Sequence, residues 1–279
     1  MVPMNLLPAN GRADYVVSGS FAKLALQEAQ KLGQINVAAS TESQGFVRVP
    51  YQEELTLDPE AAYVHITTNN TIYGTEWQTE PDVNGVPLIA DASSNIFSKP
   101  IDIAKYGLIY AGAQKNLGVA GVALVLIRDD LLPSIPEGLP AMLDYNVQIK
   151  AKSAHNTPPV FSIYVLGLVV KWLQQQGGLE QIARNNQEKA QPLYDAIDSG
   201  EFYRGHALLD HRSLTNVTFR LPSEELEQQF VVEADAAGLM DLKGHRSVGG
   251  IRASIYNAFP RAGVESLVSF MKEFERTHG

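Results

Sequence analysis

Short apolar runs alternate with amphipathic stretches between Asp14 and Arg128. The runs are rich in β-branched residues, which is typical of buried strands, whereas the segment from Ala22 to Leu32 has the period of a helix. Continuous apolar strands alternating with helices favour an α/β fold, with a mostly parallel sheet covered by helices on both faces. The predicted strands are residues 15–17, 35–38, 62–66, 87–90, 107–111 and 122–127.

The pattern changes in the second half of the chain. A proline-rich excursion without a clear period covers residues 133–159, and a strongly apolar helix, which we expect to be buried, covers residues 161–176. Beyond Gly200 the strands at residues 214–219 and 250–255 alternate with helices at 224–237 and 264–275, which predicts a small α+β domain. We therefore predict a large domain, residues 1–174, and a small C-terminal domain, residues 175–279.

Composition removes several classes of function. The net charge is −9 and no lysine- or arginine-rich run is dense enough to follow a phosphate backbone, so nucleic acid and anionic membranes are poor partners. The absence of cysteine removes disulfides, thiolate nucleophiles and zinc-thiolate sites, and it fits a reducing, cytoplasmic location. The apolar helix is too short to cross a membrane and contains Lys171. The histidines show no metal-ligand spacing, so we predict no metal site.

Two opposite charges are expected at one rim of the predicted sheet. Asp91 directly follows the apolar run at residues 87–90, and Lys115 follows the run at 107–111. In parallel sheets, functional groups collect at the carboxyl ends of the strands, where Thr71 is also expected. A cofactor that is a pyridine aldehyde requires two such groups. A carboxylate keeps the pyridine nitrogen protonated, and a lysine forms a Schiff base with the aldehyde. A surface lysine and an N-capping aspartate explain the spacing equally well.

Six short strings, in order, resemble those of the phosphoserine aminotransferases, which are class V pyridoxal-phosphate enzymes of the aspartate-aminotransferase fold type (fold type I). One string alone is weakly specific, but six in the right order are strongly specific, and the resemblance covers essentially the whole chain. The strings lie at residues 18–23, 69–76, 89–94, 113–118, 155–159 and 244–254.

The resemblance implies a role for each residue that binds the cofactor, pyridoxal 5'-phosphate. Lys115 matches the Schiff-base lysine, whose free amine moves the proton during catalysis, and Asp91 matches the partner of the pyridine nitrogen. Thr71 matches the hydroxyl that hydrogen-bonds to the ring substituents, and Gln114 matches a phosphate contact. Phe21 stands where the family usually has a tryptophan that stacks on the ring, so stacking is expected to be weaker.

Further matches concern the substrate and a second subunit. Asn156 and Thr157 match phosphate contacts that reach over from the partner subunit, which implies a homodimer with shared active sites, although the sequence around them also fits an ordinary turn. Arg252 matches the arginine that grips the substrate α-carboxylate. His245 and Arg246 match the residues that receive the substrate phosphate.

The implied activity is the transamination of 3-phosphohydroxypyruvate with glutamate to O-phosphoserine and 2-oxoglutarate, in serine biosynthesis. Bacterial family members are also implied to act on a phosphohydroxythreonine intermediate of pyridoxine biosynthesis. Two alternatives remain open: another aminotransferase or a desulfurase, which the lack of cysteine disfavours, and a catalytically impaired homologue that keeps only the dimer scaffold.

The start of the chain departs from the family pattern. Family members carry on the order of 80 residues ahead of the segment that begins at Met1, a piece whose loss should expose core. That piece includes the glycine-rich turn whose amides hold the cofactor phosphate at a helix N-terminus. The resemblance therefore implies an N-terminally truncated enzyme, and we expect the chain as given to bind the cofactor weakly, if at all.

Overall fold

The computed structural model describes all 279 residues, and its larger unit is built on a six-stranded sheet. The strands run in the order β2-β1-β3-β6-β7-β8, and all neighbours pair in parallel except β7 and β8, which are antiparallel. The strands up to that edge are β1 (Arg12–Val17), β2 (Gln34–Ser40), β3 (Val64–Thr67), β4 (Asn69–Asn70), β5 (Thr75–Glu76), β6 (Leu88–Asp91), β7 (Leu108–Gly112) and β8 (Ala123–Ile127).

Side chains from the central strands alternate between two buried clusters, one on each face of this sheet. In β6, for example, Leu88 and Ala90 belong to one cluster and Ile89 belongs to the other. This alternation is the period-two pattern of a strand buried on both faces, so it explains why the sequence shows continuous apolar runs. The prediction of an α/β fold with a mostly parallel sheet is confirmed.

A second unit surrounds a three-stranded antiparallel sheet in the order β11-β10-β9. Its strands are β9 (Arg204–Gly205), β10 (Asn216–Arg220) and β11 (Ile251–Ser254). Its core is a third hydrophobic cluster that runs from Ala190 to Phe274 and is centred on Phe219, Phe230 and Phe274. The predicted domain boundary after residue 174 lies near the end of the helix that precedes this unit, and it stays a prediction.

Seven α-helices complete the chain. The longest is α5, which contributes the buried Leu193 and Ile197 to the core of the second unit. The helices are α1 (Val2–Leu6), α2 (Ser20–Ala29), α3 (Tyr145–Lys150), α4 (Val160–Gln175), α5 (Gly178–Asp198), α6 (Glu224–Ala236) and α7 (Arg261–His278).

The burial predicted for the apolar helix at residues 161–176 is wrong. This helix is α4, and Leu173 is its one buried residue. Val160, Phe161 and Tyr164 are 66%, 69% and 62% exposed. An apolar sequence indicates that a helix packs against another apolar surface. It does not indicate whether that surface belongs to the same chain. No helix combines the length and the apolar character needed to cross a membrane, and the cytoplasmic location stays a prediction.

Candidate active site

Lys115 lies in a tight loop that follows β7 at the carboxyl end of the central sheet. The loop is closed by a hydrogen bond from the Leu117 amide to the Ala113 carbonyl, 3.0 Å, and both of these side chains are fully buried. Next to the lysine, the Asn116 side-chain oxygen accepts a 3.0 Å hydrogen bond from the Asn257 amide of the second unit. Lys115 is therefore held at the junction of the two units by anchors on both sides.

The Lys115 amine has few neighbours, and each bears on its chemistry. Its Nζ donates a 3.0 Å hydrogen bond to Thr71 Oγ1 and lies 5.4 Å from the centre of the Phe21 ring. Burial lowers the pKa of Lys115, the charge of Asp91 opposes that shift, and the charge of Arg252 adds to it. A lowered pKa leaves more of the amine uncharged near neutral pH, which is the form that attacks carbonyl carbon and accepts protons.

Asp91 is the last residue of β6, one strand away from the lysine loop. Its Oδ1 accepts a 2.9 Å hydrogen bond from the Ser93 amide, which turns the chain directly after the strand. Its backbone carbonyl accepts hydrogen bonds from the amide and the hydroxyl of Thr68 on the neighbouring side. The carboxylate is thus fixed at the sheet rim, where its charge acts on Lys115.

Thr71 opens the four-residue turn that joins β4 to β5. The turn needs Gly74, which has a φ of +68° and packs directly against β10: a Cβ there would lie 2.7 Å from the Asn216 carbonyl oxygen. The Thr218 hydroxyl of β10 also donates a 2.8 Å hydrogen bond to the Tyr73 carbonyl. The turn that aims Thr71 at the lysine is therefore seated on the second unit.

Arg252 comes from β11, where it pairs with Thr218 of β10. None of its guanidinium nitrogens hydrogen-bonds to protein, and its Nε is buried without a partner. A buried donor without a partner is costly. A guanidinium whose donors are free at a charged site is therefore suited to binding an anionic ligand. Its effect on the pKa of Lys115 places it in the same electrostatic neighbourhood.

Five predicted site residues are not joined to the Lys115 group by any hydrogen bond or ion pair within this chain. Gln114 is exposed, and its side chain folds over Gly112. Asn156 and Thr157 are exposed in the loop before α4, where Asn156 hydrogen-bonds only to the Thr157 carbonyl. His245 and Arg246 lie in the loop before β11.

The His245 ring is held by its own loop. Its Nδ1 accepts a hydrogen bond from the Ser247 amide, 3.3 Å, and contacts the Ser247 hydroxyl at 2.7 Å. An accepting Nδ1 leaves the proton of the neutral ring on Nε2, which is therefore available as a donor. Arg246 is exposed without an ion pair and lines a surface cavity with Glu224 and Glu227.

Sequence reasoning missed the polar side chains behind Asp91. His65 is 1% exposed and hydrogen-bonds through Nε2 to the Tyr110 hydroxyl, 3.0 Å. Tyr110 pairs with Asp91 across β6 and β7. The signal in the sequence is a histidine inside the apolar run of a central strand, where a polar side chain needs a partner.

Comparison with known proteins identifies the family. The family model described as aminotransferase class-V matches residues 1–267. This chain belongs to the class-V aminotransferase family. Two of its relatives are named phosphoserine aminotransferase: one from Herpetosiphon aurantiacus is 55% identical, covering 100% of this chain and 78% of the relative, and one from Desulfosudis oleivorans is 56% identical, covering 100% and 77%.

Solved structures of class-V family members have the same fold. The phosphoserine aminotransferase of Bacillus circulans subsp. alkalophilus superposes with a TM-score of 0.97 at 49% identity, covering 100% of this chain and 77% of that one. The PLP-bound phosphoserine aminotransferase of Trichomonas vaginalis superposes with a TM-score of 0.91 at 37% identity, covering 97% and 78%. The resemblance to this family that the sequence motifs indicated is confirmed.

Proposed function

We propose that this chain binds pyridoxal 5'-phosphate at Lys115 and transfers an amino group from glutamate to 3-phosphohydroxypyruvate, which gives O-phosphoserine and 2-oxoglutarate. The observation that carries the proposal is the Lys115 amine, half-buried, hydrogen-bonded to Thr71 and set between the charges of Asp91 and Arg252. Relatives at 55% and 56% identity that bear the name phosphoserine aminotransferase support the choice of substrates.

The residues around Lys115 fit such a cofactor. The Phe21 ring is 43% exposed and lies over the amine, so it offers a face on which a pyridine ring can stack. Asp91 supplies the negative charge that favours a protonated ring nitrogen, and Thr71 supplies a hydroxyl for the ring substituents. Gln114 and, from a partner subunit, Asn156 and Thr157 would hold the phosphate.

When bound, the cofactor carries the amino group between the two substrates and withdraws electrons from the substrate α-carbon. Lys115 would hold the cofactor and, once released by the substrate, its amine would carry the proton between the substrate α-carbon and the cofactor's aldehyde carbon within each half-reaction. The lowered pKa of Lys115 suits this task, because the amine must be uncharged to accept the proton. Thr71 keeps the amine aimed at the site through its hydrogen bond.

The substrate would be held by cations from the second unit. The free guanidinium of Arg252 suits the α-carboxylate, since its planar fork matches two carboxylate oxygens. His245 and Arg246 would bind the substrate phosphate, and the free Nε2 proton and unpaired guanidinium described above support that role. A phosphorylated substrate is what distinguishes this assignment from an alanine or serine aminotransferase.

The homodimer belongs to the same proposal. The residues meant to complete the partner's site, Asn156 and Thr157, directly precede the exposed apolar stripe of α4, which includes Phe161 and Tyr164. Large exposed apolar patches mark interaction surfaces. A second copy of the chain on this stripe would bury it and bring the loop at residues 156–157 close to a second active site.

Borohydride trapping tests the cofactor site. Because the sequence predicts weak binding of the cofactor, the chain is incubated with an excess of pyridoxal 5'-phosphate, reduced and mapped by mass spectrometry, and we expect one pyridoxyl group on Lys115. Lys189 is an internal control, because burial lowers its pKa as well, to about 8, but its Nζ faces the backbone carbonyls of Tyr256 and Phe259 instead of a site. Label on Lys189 alone, or an equal yield from Lys115→Ala, overturns the assignment.

Steady-state kinetics test the substrate. With both substrates varied, we expect Arg246→Ala to raise KM for 3-phosphohydroxypyruvate about tenfold and to leave KM for glutamate unchanged, since one charge-assisted contact is removed from the phosphate alone. Arg261→Ala, on the exposed face of α7, is the matched control. Equal activity with hydroxypyruvate and with 3-phosphohydroxypyruvate would contradict the proposed specificity.

A further inference from the structure

Four polar side chains fill the sheet face behind the carboxylate of Asp91. Tyr15, His65 and Tyr110 project from β1, β3 and β7, and Tyr63 precedes β3. The His65 ring stacks on Tyr15 with centres 4.7 Å apart and planes at 15°, and Tyr15 shares a 3.0 Å hydrogen bond with Tyr63. In a core of aliphatic side chains this cluster is an exception, and the reaction described above does not use it.

The protonation states in this cluster are set by burial. Burial lowers the pKa of His65 to about 4, although the charge of Asp91 opposes the shift, so the ring is neutral at pH 7. Burial, followed by the charge of Asp91, raises the pKa of Tyr110 far above its ordinary value, so its hydroxyl keeps its proton. Tyr110 is the cross-strand neighbour of Asp91 in β6 and β7, so its side chain lies on the same face of the sheet, next to the carboxylate whose charge acts on it.

Only one arrangement of protons satisfies all three groups. The Tyr110 hydroxyl has a single proton, and the Asp91 carboxylate can only accept. If Tyr110 donated to His65 Nε2, its lone pairs would face the carboxylate and Nδ1–H of His65 would be a buried donor without a partner. Nδ1 has no partner in either arrangement, but if Nε2–H donates to Tyr110 and Tyr110 donates to Asp91, Nδ1 is an unpartnered acceptor, which costs less than an unpartnered buried donor.

We propose that His65 and Tyr110 are positioning residues for Asp91: the chain His65 Nε2–H to Tyr110 O–H to the Asp91 carboxylate holds that carboxylate facing the cofactor's ring nitrogen. The role of Asp91 in this statement rests on the proposed function. The proton chain itself does not, because it is a property of the protein without the cofactor. Tyr15 completes the device by stacking on His65, which fixes the plane of the imidazole.

The proton chain is tested first in the cofactor-free protein. Nitrogen-15 NMR of the histidine rings should show His65 with a proton on Nε2 and none on Nδ1, and Tyr110→Phe should change the Nε2 signal because its acceptor is lost. Tyr63→Phe is the matched control, since it removes a buried tyrosine hydroxyl of the same cluster that contacts neither His65 nor Asp91. A proton on Nδ1 in the unmodified protein overturns the inference, whatever the enzyme's activity.

The positioning role is tested in the loaded protein through the pH at which the cofactor's visible band changes. If His65 and Tyr110 no longer position Asp91, the ring nitrogen carries less positive charge. That charge lowers the pKa of the nitrogen that joins the cofactor to Lys115, so weakening it raises this pKa. We expect the midpoint to rise by about one pH unit in Tyr110→Phe and His65→Phe, the size of shift that loss of one hydrogen bond to a charged group produces.

A conservative variant separates positioning from packing. His65→Gln places an amide donor near the position of Nε2, so it should restore the midpoint to within a few tenths of a pH unit, while Tyr63→Phe should leave it unchanged. If Tyr110→Phe, His65→Phe and His65→Gln all give the unmodified midpoint, His65 and Tyr110 only fill space and the proposal is wrong. Failure of the cofactor to bind at all would instead contradict the proposed function, and the NMR result would stand.

Discussion

The Arg252 guanidinium reaches the site without a single hydrogen bond to protein, and this makes its contribution to binding separable from its contribution to stability. Arg252→Lys keeps the charge but loses the planar fork. We expect KM for glutamate to rise about tenfold or more, which corresponds to one lost charge-assisted hydrogen bond, and the free energy of unfolding to change by less than about 0.5 kcal/mol. Kinetics and urea unfolding measure the two. A large loss of stability with an unchanged KM would show that Arg252 is structural.

His65 should give the protein a measurable stability change in mildly acidic solution. Its pKa is about 4 when folded, against an ordinary value of 6.5, so the unfolded chain binds the proton first as the pH falls. This residue's contribution to stability is therefore complete above about pH 6.5 and is lost progressively towards pH 4. In His65→Gln the slope of unfolding free energy against pH should be smaller in this window, by up to about 1.4 kcal/mol per pH unit.

Urea unfolding at a series of pH values measures that slope. His155→Gln, at an exposed position in the loop before α4, is the control and should retain the unmodified slope. Identical slopes for His65→Gln and the unmodified chain would mean that the His65 ring is not held neutral in the fold.

At the level of single residues, the sequence predicts which functional side chains lie at strand ends. It does not predict which side chains of different strands contact each other. Lys115 and Asp91 each follow an apolar run, so the sequence places both at the same rim. Arg252 lies in a different unit, and only the motif resemblance linked it to the lysine. His65 was overlooked because its partner, Tyr110, is 45 residues away and becomes a neighbour only when β6 inserts between their strands.

Among the secondary-structure elements, those of four or more residues with a clear apolar pattern followed the predictions, whereas the two-residue strands and the short helix α3 did not. The strand predicted at residues 107–111 is β7, shifted by one residue, and the helix predicted at 224–237 is α6. The hairpin of β4 and β5 was missed because two-residue strands carry no periodic signal, and α3 was missed within a proline-rich segment. The antiparallel direction of β8 could not be predicted, because apolar runs do not show strand direction.

The turn between β4 and β5 gives a prediction at this scale. Gly74→Ala puts a Cβ 2.7 Å from the Asn216 carbonyl at a φ of +68°, whereas Gly85→Ala, at a φ of +81°, meets nothing within 4 Å. Gly85→Ala should cost about 1 kcal/mol for the backbone conformation, and Gly74→Ala about 2–4 kcal/mol because β10 must also move. Urea unfolding of both variants measures the difference.

The Gly74 variant should also lose cofactor affinity, since the same turn carries Thr71. Equal stability losses in Gly74→Ala and Gly85→Ala would show that the hairpin is not seated firmly on the second unit.

In the molecule as a whole, the site lies where the two units are joined by amide and hydroxyl hydrogen bonds. Asn69 donates to the Asn216 side chain, 2.9 Å, and Thr215 donates to the Ser94 carbonyl, 3.1 Å. With the bond between Asn257 and Asn116, these contacts hold the loops of Thr71, Asp91 and Lys115 against the second unit. Such directional bonds fix the relative position of loops more strictly than apolar packing does, which suits a site assembled from both units.

Sharing of sites between two copies is the prediction that belongs to the assembled molecule. If Asn156 and Thr157 complete the partner's site, an Asn156→Ala/Thr157→Ala chain is defective only in what it gives to its partner, and a Lys115→Ala chain only in its own site. A mixed dimer, co-expressed with two tags and purified on both, then has one intact site, so it should show about half the unmodified activity although each variant alone shows little.

The matched control pairs Lys115→Ala with Arg252→Ala, whose defects both lie in the chain's own site. That mixed dimer has one site without the lysine and one without the arginine, so it should stay inactive. Activity in this control, or none in the first mixture, contradicts site sharing, whereas a monomer in analytical ultracentrifugation contradicts the dimer itself. Phe161→Asp, which puts a charge on the exposed stripe of α4, should dissociate the dimer and remove the restored activity, because a buried unpaired charge is costly at an interface.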